Sequence, residues 1–348
     1  MLSPSRPDDI TIVGGGIAGL SLAWELAKRG RHVTVVERER IGGGASATAT
    51  SYMEPRFGTG ASRRLEWESL RRWPEWARGT EEASGLDLGL SHGQWRFAYA
   101  QDESRVRADM KKREALGWTV EWLDGAELRE RAKDLSSEIV GAVRVADPAW
   151  VDGPKVCEAL AVAIRGMGGR VLEREPVADL PLASTTVLAN GPGATALAPD
   201  GAGVPPIRRV KGTTLFHPCP VALPQMLRHP DISIVPRPNG VVVGASKEED
   251  ATSLAPDPAV VETLHARAAR ALPVLSNVDP EPSSAWRAYV PDRALALGRS
   301  QTRRNLWWSL GHGGVGYLRA PLVATELAGA ICGEEDALRF CAPFFQEA

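Results

Sequence analysis

The sequence is poor in the residues that build metal centres and disulfide frameworks. Its four cysteines, at 157, 219, 332 and 341, form no CxxC pair, so nothing reads as a zinc knuckle, a redox dithiol or a stapled secreted fold. They read as reduced thiols of a cytoplasmic protein. Six histidines show no HxH or HxxxH spacing, so no metal site is expected. An excess of charge of either sign is also missing: the formal net charge is −2 and the pI about 6.4. That speaks against nucleic acid or an anionic membrane as partner. The short arginine pairs at 63–64, 71–72 and 303–304 read as solvated faces. Internal repeats and low-complexity tracts are absent. The most apolar stretch, residues 10–27, carries one charge, Glu25. Its four glycines argue against a membrane anchor, and no charged leader precedes a cleavage site, so no signal peptide is expected.

What is present is a chain of 348 residues with 43% hydrophobic and 24% charged side chains. That describes a soluble globular protein of two domains, or one domain with an insertion. Residues Ile10–Glu37 carry the strongest signal. Ile10–Val13 reads as a strand, Gly14-Gly15-Gly16-Ile17-Ala18-Gly19 as a glycine turn opening a helix, and His32–Val36 as a second strand ending at Glu37. This βαβ pattern binds the adenosine diphosphate half of a dinucleotide. Gly14 permits the tight turn, Gly16 lets the backbone approach a pyrophosphate, and Gly19 lets the helix lie against the strand. The helix N-terminus at Ile17 and Ala18 offers free N–H groups to phosphate. Glu37 is placed to accept hydrogen bonds from the ribose.

A glycine-rich loop follows, Gly42–Ser46, and small residues continue through Ala47, Thr48, Ala49, Thr50 and Ser51 to Tyr52-Met53-Glu54-Pro55. Small side chains suit a flat ring lying against the chain, although a surface loop has the same composition. Further on, helices are expected over 62–84, 103–116, 153–165, 259–271 and about 318–331. Strands are expected over 95–99, 140–145, 169–172, 185–189, 241–245 and 306–310. Residues 207–250 read as alternating strands and turns. Gly311-His312-Gly313-Gly314-Val315-Gly316 repeats the GxGxxG spacing, but no strand ending in an acid follows it. That helix is expected to aim its N-terminal dipole at another part of the same cofactor, where it would stabilise negative charge on a reduced flavin.

In this order the pieces resemble the FAD-dependent amine oxidases of the glycine oxidase and D-amino-acid oxidase type. The resemblance spans nearly the whole chain. It rests on Gly14–Glu37, Gly44-Ala45-Ser46 to Met53-x-Pro55, Val187–Gly191, Arg209–Gly212, Val235-Pro236-Arg237 through Val243-Gly244-Ala245, and Trp286-Arg287 through Asp292 and Gly298 to Gly311-His312-Gly313. It implies an α/β (α+β overall) fold: a Rossmann-type FAD domain built from residues 1–90, 141–205 and 290–348, and a substrate domain with a mostly antiparallel sheet from 91–140 and 206–289. It implies non-covalent FAD, contacted at Gly14, Gly16, Ile17, Ala18, Gly19, Glu37, Arg38, Ala45, Ser46, Thr48, Ala49, Thr50, Ser51, Tyr52, Met53, Val177, Asn190, Gly191, Gly298, Gly311, Gly313, Gly314, Val315, Gly316 and Tyr317. The implied reaction takes a hydride from the carbon beside an amine; the imine then hydrolyses, and O2 reoxidises the flavin to give hydrogen peroxide.

The sequence departs from that pattern around the substrate. Glycine oxidases carry a carboxylate-binding arginine where this chain has Gly314. Arg287 becomes the first candidate anchor, because a guanidinium grips a carboxylate in two places; its alternative is a structural pairing with Asp292. Lys247 either binds a second carboxylate or sits in the charged turn Lys247–Asp250. Ser233 or Ile234 replaces an aromatic hydrogen-bonding residue, which implies a roomier pocket. Tyr52 either lines that pocket or packs on the ring edge, and His312 supports its loop with no acid–base role. The expected substrate is a small amino acid or, by preference, an N-substituted glycine. The competing readings are a flavin monooxygenase, a dehydrogenase passing electrons to a quinone or carrier protein, a flavin-stabilised scaffold and a plain NAD dehydrogenase. Oligomeric state stays open.

Overall fold

The structure is a computed structural model that describes residues 9–57, 59–180, 184–291 and 295–347. Two sheets organise it. In the first, strands lie in the order Phe345–Glu347, Ala296–Arg299, Leu306–Leu310, Thr185–Leu188, Asp9–Val13, His32–Val36 and Arg170–Leu172. All neighbours are parallel except Ala296–Arg299 against Leu306–Leu310. The middle strands are apolar because helices cover the sheet: Ile10, Ile12, Val33, Val35 and Val187 are at most 2% exposed. Helices Ile17–Lys28, Ala61–Ser84, Gly153–Gly166 and Gly316–Cys332 bury Leu20, Leu22, Trp73, Leu160 and Leu327 in the same core. This is the expected Rossmann-type half, assembled from separated segments.

The second sheet has nine strands. Its path runs Glu281–Tyr289, Arg208–His217, Gly240–Gly244, Ile232–Arg237, Met226–His229, Ser91–Tyr99, Ile139–Trp150 and Tyr52–Met53, with Val120–Asp124 also paired to Ile139–Trp150. Every pairing is antiparallel except Met226–His229 with Ser91–Tyr99. Alternation sorts the side chains into two faces. Trp95, Phe97, Leu215, Leu227, Ile234, Val241 and Val243 form one buried face with Leu264 and Ala268 of helix Pro258–Ala271. The other face carries Gln94, Arg96, Thr214, Met226, Arg228, Ser233, Val235, Arg237, Ser283 and Arg287.

Two segments join the halves in a way that local patterns do not announce. Strand Ile139–Trp150 crosses residue 141 and pairs throughout with the second sheet, and Tyr52–Met53 pairs with its far end. Among the described residues, no helix is long and apolar enough to cross a membrane.

One buried ion pair ties helix Gly316–Cys332 to helix Ala61–Ser84. Arg319, 1% exposed, donates to Glu66, 0% exposed, at 2.7 Å. Arg56, half exposed, reaches the same carboxylate at 3.1 Å. Removing Arg319 leaves the buried Glu66 carboxylate with only the half-exposed Arg56, and loss of one partner of a buried pair costs about 3–5 kcal/mol. Arg319→Ala is therefore expected to lower the urea midpoint strongly, and Glu66→Gln in the same chain to recover part of it. An unchanged midpoint in Arg319→Ala would contradict this role.

Candidate active site

Strand Asp9–Val13 lies between His32–Val36 and Thr185–Leu188, so the loops after all three leave from neighbouring carboxyl ends. This is the crevice where open parallel sheets bind ligands. Gly14 donates to the Val36 carbonyl at 2.9 Å. A Cβ on Gly19 would lie 2.0 Å from the Gly14 oxygen, so only glycine lets the helix come this close. The helix N-cap, Gly16, is extended and has no side-chain cap. Ser46 Oγ accepts from the Ile17 amide at 3.0 Å. The Glu37 carboxylate is fixed by two backbone amides, from Gly15 at 2.8 Å and Glu39 at 3.0 Å. Asn190 places a buried, unpartnered Oδ1 beside this turn, and its backbone packs against Gly14. Ser46 thus takes the Ile17 N–H expected to be free for phosphate, while the helix N-terminus at Gly16 without a cap of its own, the fixed acid, the clear backbone at Gly191 and the orphaned amide oxygen fit the adenosine diphosphate half of FAD.

The strip from Gly44 to Met53 begins with the helical turn Gly44–Ala47 and ends in strand Tyr52–Met53 at the end of the second sheet. The Ser46 carbonyl accepts from the Tyr317 hydroxyl at 3.0 Å. The Thr48 carbonyl accepts from Thr214 Oγ1 at 3.0 Å, and Thr48 Oγ1 meets Ser283 Oγ at 3.1 Å. Arg237 Nη2 donates to the Thr50 carbonyl at 2.8 Å. The Ser51 carbonyl accepts from the Val151 amide at 3.3 Å. Burial pushes the Tyr317 hydroxyl well above its usual range and the Cys157 thiol, 3.5 Å away, up to about 12. Both stay neutral, so the pair braces the strip and supplies neither base nor nucleophile.

On the polar face of the second sheet, Arg287 lies over Gly212, which has room for it only because a Cβ there would be 2.1 Å from the guanidinium. Arg287 Nη1 donates to the Ser246 carbonyl at 2.9 Å, and Gly314 sits beside its stem. Asp292 lies outside the described residues. Ser233 is 1% exposed and donates to the Gly244 carbonyl at 2.6 Å. Tyr52 packs with Trp150, Met226 and Val235. Lys247 is 57% exposed and paired with Glu249.

The remaining expected cofactor residues divide by surroundings. Arg38 is exposed and paired with Glu39. Gly298 is occupied by packing, since a Cβ there would meet the Trp308 ring at 2.3 Å. Val177 joins a small core with Val13 and Leu188, while Met53 is fully buried in the main core. The turn Gly311–Val315 is tied down by Gly313 N to Ala288 O at 2.9 Å, and Gly314 is exposed. Burial, with Arg319 nearby, lowers the His312 pKa to about 3, and its Nε2 meets Ser309 Oγ at 3.0 Å. It is neutral at pH 7 and supports the turn. Sequence reasoning missed the bracing roles of Arg237 and Tyr317. It also missed Arg228, whose place beside Tyr52 follows only from strand register.

This arrangement is that of a nucleotide-binding α/β protein with a cationic sheet face beside the Gly44–Met53 strip. The model for the family described as DAO, FAD dependent oxidoreductase, matches residues 9–330, and the chain belongs to that family. It is 28% identical over 364 residues to glycine oxidase of Geobacillus kaustophilus, covering 97% of this chain and 96% of that one. The solved structure of the glycine oxidase from that organism has TM-score 0.85, 26% identity and 97% coverage of both chains. An opine oxidase subunit of Agrobacterium tumefaciens is 29% identical over 300 residues, 78% of this chain and 79% of that one. The bifunctional protein ThiO/ThiG of Trichormus variabilis is 29% identical over 352 residues, 93% of this chain but 52% of that protein. The chain thus spans about half the length of that bifunctional relative.

Glu37→Ala removes the acceptor for two amides and the carboxylate expected to meet the ribose. With charged hydrogen bonds worth about 1.5–3 kcal/mol each, FAD affinity is expected to fall at least about tenfold. Flavin fluorescence during titration of the stripped protein measures this, and an unchanged affinity would remove Glu37 from the site. His312 yields a pH prediction. Below its ordinary value of 6.5 the unfolded chain takes a proton that the folded site refuses down to about pH 3. Stability therefore declines as pH falls through that window. His312→Gln should lose less stability than the parent between pH 7 and pH 4 in urea titrations; an equal loss would show that His312 does not contribute.

Proposed function

We propose that the chain oxidises a small amino acid or N-substituted glycine at the carbon beside its nitrogen, with O2 as electron acceptor and hydrogen peroxide as product. One observation carries this reading: the Arg287 guanidinium, held by the Ser246 carbonyl beside Gly314, stands on the sheet face whose Thr214 and Ser283 clamp the Thr48 end of the cofactor strip. When bound, FAD supplies the acceptor for the two electrons and the hydrogen lost from carbon, and the resulting imine is cleaved by water to a carbonyl compound and an amine.

Arg287 would hold the substrate carboxylate in its fork and so fix the reacting carbon. The family membership and the likeness to glycine oxidase and to the opine oxidase chain support an amine substrate. Glycine at 314 and serine at 233 leave room for a substituent on nitrogen, which favours a secondary amine. The neutral His312 and Tyr317 provide no base, and none is needed when the amine arrives unprotonated.

Anaerobic mixing of the FAD-loaded protein with glycine, N-alkylglycines, N-carboxyalkyl amino acids and D-amino acids tests the reading. Bleaching of flavin absorption by one of these classes, reversed by air, is the expected outcome. No bleaching by any of them would sink it, and bleaching that air does not reverse would remove O2 as acceptor. Arg287→Ala is expected to raise KM about tenfold or more with a smaller change in kcat.

A further inference from the structure

Arg287 reaches its place by lying across strand Arg208–His217 at Gly212, so the residues on either side of that glycine, Lys211 and Thr213, point to the other face of the sheet. Among the described residues, the Ser246 carbonyl is the one hydrogen-bond acceptor of Arg287, at 2.9 Å, and no carboxylate lies within ion-pair distance of it. The direction of that single carbonyl therefore fixes the guanidinium. Two residues that face each other as an antiparallel hydrogen-bonded pair exchange both N–H···O bonds. Ser246 and Thr213 do not. The Ser246 amide donates to the Thr213 carbonyl at 3.0 Å, but the Thr213 amide donates to the Ser246 hydroxyl at 2.8 Å. The hydroxyl thus occupies the amide that would otherwise claim the Ser246 carbonyl, and the carbonyl is left to Arg287.

A hydroxyl has one proton to give. Ser246 gives its proton to Glu248 Oε1, which leaves its lone pairs for the Thr213 amide. Glu248 is itself held from several sides. Thr213 Oγ1 donates to Oε1 at 2.8 Å, Lys211 Nζ pairs with Oε2 at 2.9 Å, and the backbones of Lys211 and Glu248 exchange both amide bonds, at 3.0 and 2.9 Å. Lys211 is 3% exposed, and its Nζ also donates to the Ala255 carbonyl at 2.8 Å. Burial works against the Glu248 charge, yet hydrogen bonds from Ser246, Lys211 and Thr213 hold its carboxyl below the usual range, so it accepts and does not donate. A buried ion pair is weak evidence for stability; the effect of this one is directional.

We propose that Glu248 is a positioning residue for substrate binding: paired with Lys211, it turns the Ser246 hydroxyl to the Thr213 amide and so keeps the Ser246 carbonyl on Arg287. This deepens the reading of Arg287 as the anchor of a substrate carboxylate, and rests on it. The probes are (methylthio)acetate, which has a carboxylate, and its neutral counterpart (methylthio)acetamide; neither carries an amine to oxidise. Each is titrated into the FAD-loaded protein, and the perturbation of the flavin absorption band gives its Kd. The parent should bind the acid at least about tenfold more tightly than the amide, and Arg287→Ala should lose that preference. Ser246→Ala should reduce the preference about threefold or more, by returning the Thr213 amide to the carbonyl, and Ser246→Thr should retain it. Lys211→Met/Glu248→Leu, which removes the ion pair without leaving a lone charge, should reduce it to the same extent. Lys211→Met/Glu248→Gln, whose amide oxygen still accepts from Ser246, should retain it. If Lys211→Met/Glu248→Leu does not fold, Lys211→Met/Glu248→Ala takes its place. In the Arg287→Ala background neither Ser246→Ala nor removal of the ion pair should weaken binding of the acid further. A preference unchanged by Ser246→Ala or by loss of the Glu248 acceptor overturns the proposal. So does equal weakening of acid and amide, which a merely structural role would give. No preference in the parent, or one that survives Arg287→Ala, instead removes the Arg287 reading, and the proposal with it.

Discussion

Three backbone carbonyls in one strip, those of Ser46, Thr48 and Thr50, hold the molecule's two halves in register. Each accepts from a different element: the C-terminal helix through Tyr317, strand Arg208–His217 of the second sheet through Thr214, and strand Ile232–Arg237 of the same sheet through Arg237. The strip has no regular partner for most of its length, so its carbonyls must find side-chain donors or remain unsatisfied. Ser46 links the same strip to the N-terminus of the first helix through the Ile17 amide. The nucleotide cradle, the strip and the polar sheet face are therefore one connected unit, and a shift in any of them moves the others.

The polar face is cationic by arrangement rather than by composition. The whole chain is slightly acidic, yet Arg228, Arg237 and Arg287 share a sheet face where the hydrogen-bond acceptors given to them are mainly peptide carbonyls. Burial lowers the Arg237 pKa, with the Asp152 carboxylate acting in the opposite direction, and a guanidinium remains charged there all the same. On the opposite side of the same sheet Lys211 pairs with Glu248 at 2.9 Å. Fixed positive groups on one face, bordered by buried apolar side chains, concentrate an attractive field for small anions at that face.

The parts of the fold legible in the sequence are those whose structure is set by near neighbours. Gly14 to Glu37 is a local unit: a turn, an amphipathic helix and a short apolar strand, and the structure reproduces it with the close contact at Gly19 that the motif requires. The strand Ile139–Trp150 is longer than its pattern suggested because Asp147-Pro148 reads as a turn. Pro148 is tolerated there since the ladder is irregular opposite it, with a register shift between His92 and Gln94. On the polar sheet face, the family resemblance pointed to Arg287 and Ser233 but not to Arg228. Leu227-Arg228-His229 carries no motif, and only the pairing of Arg228 with Ser233 and Arg96 across three strands brings it to Tyr52. Long-range register of this kind depends on packing that a single sequence does not display.

The dependence of the whole site on the Gly44–Met53 strip is tested most directly by amide hydrogen exchange of that segment in the protein stripped of FAD and again after FAD is restored. Restored FAD is expected to slow exchange in residues 44–53, in the turn at Gly14–Gly19 and in the strand carrying Thr214 together, because the three are joined by the same hydrogen bonds. Slowing confined to Gly14–Gly19, with the strip and the Thr214 strand exchanging as in the stripped protein, would contradict a strip that couples the nucleotide cradle to the polar sheet face.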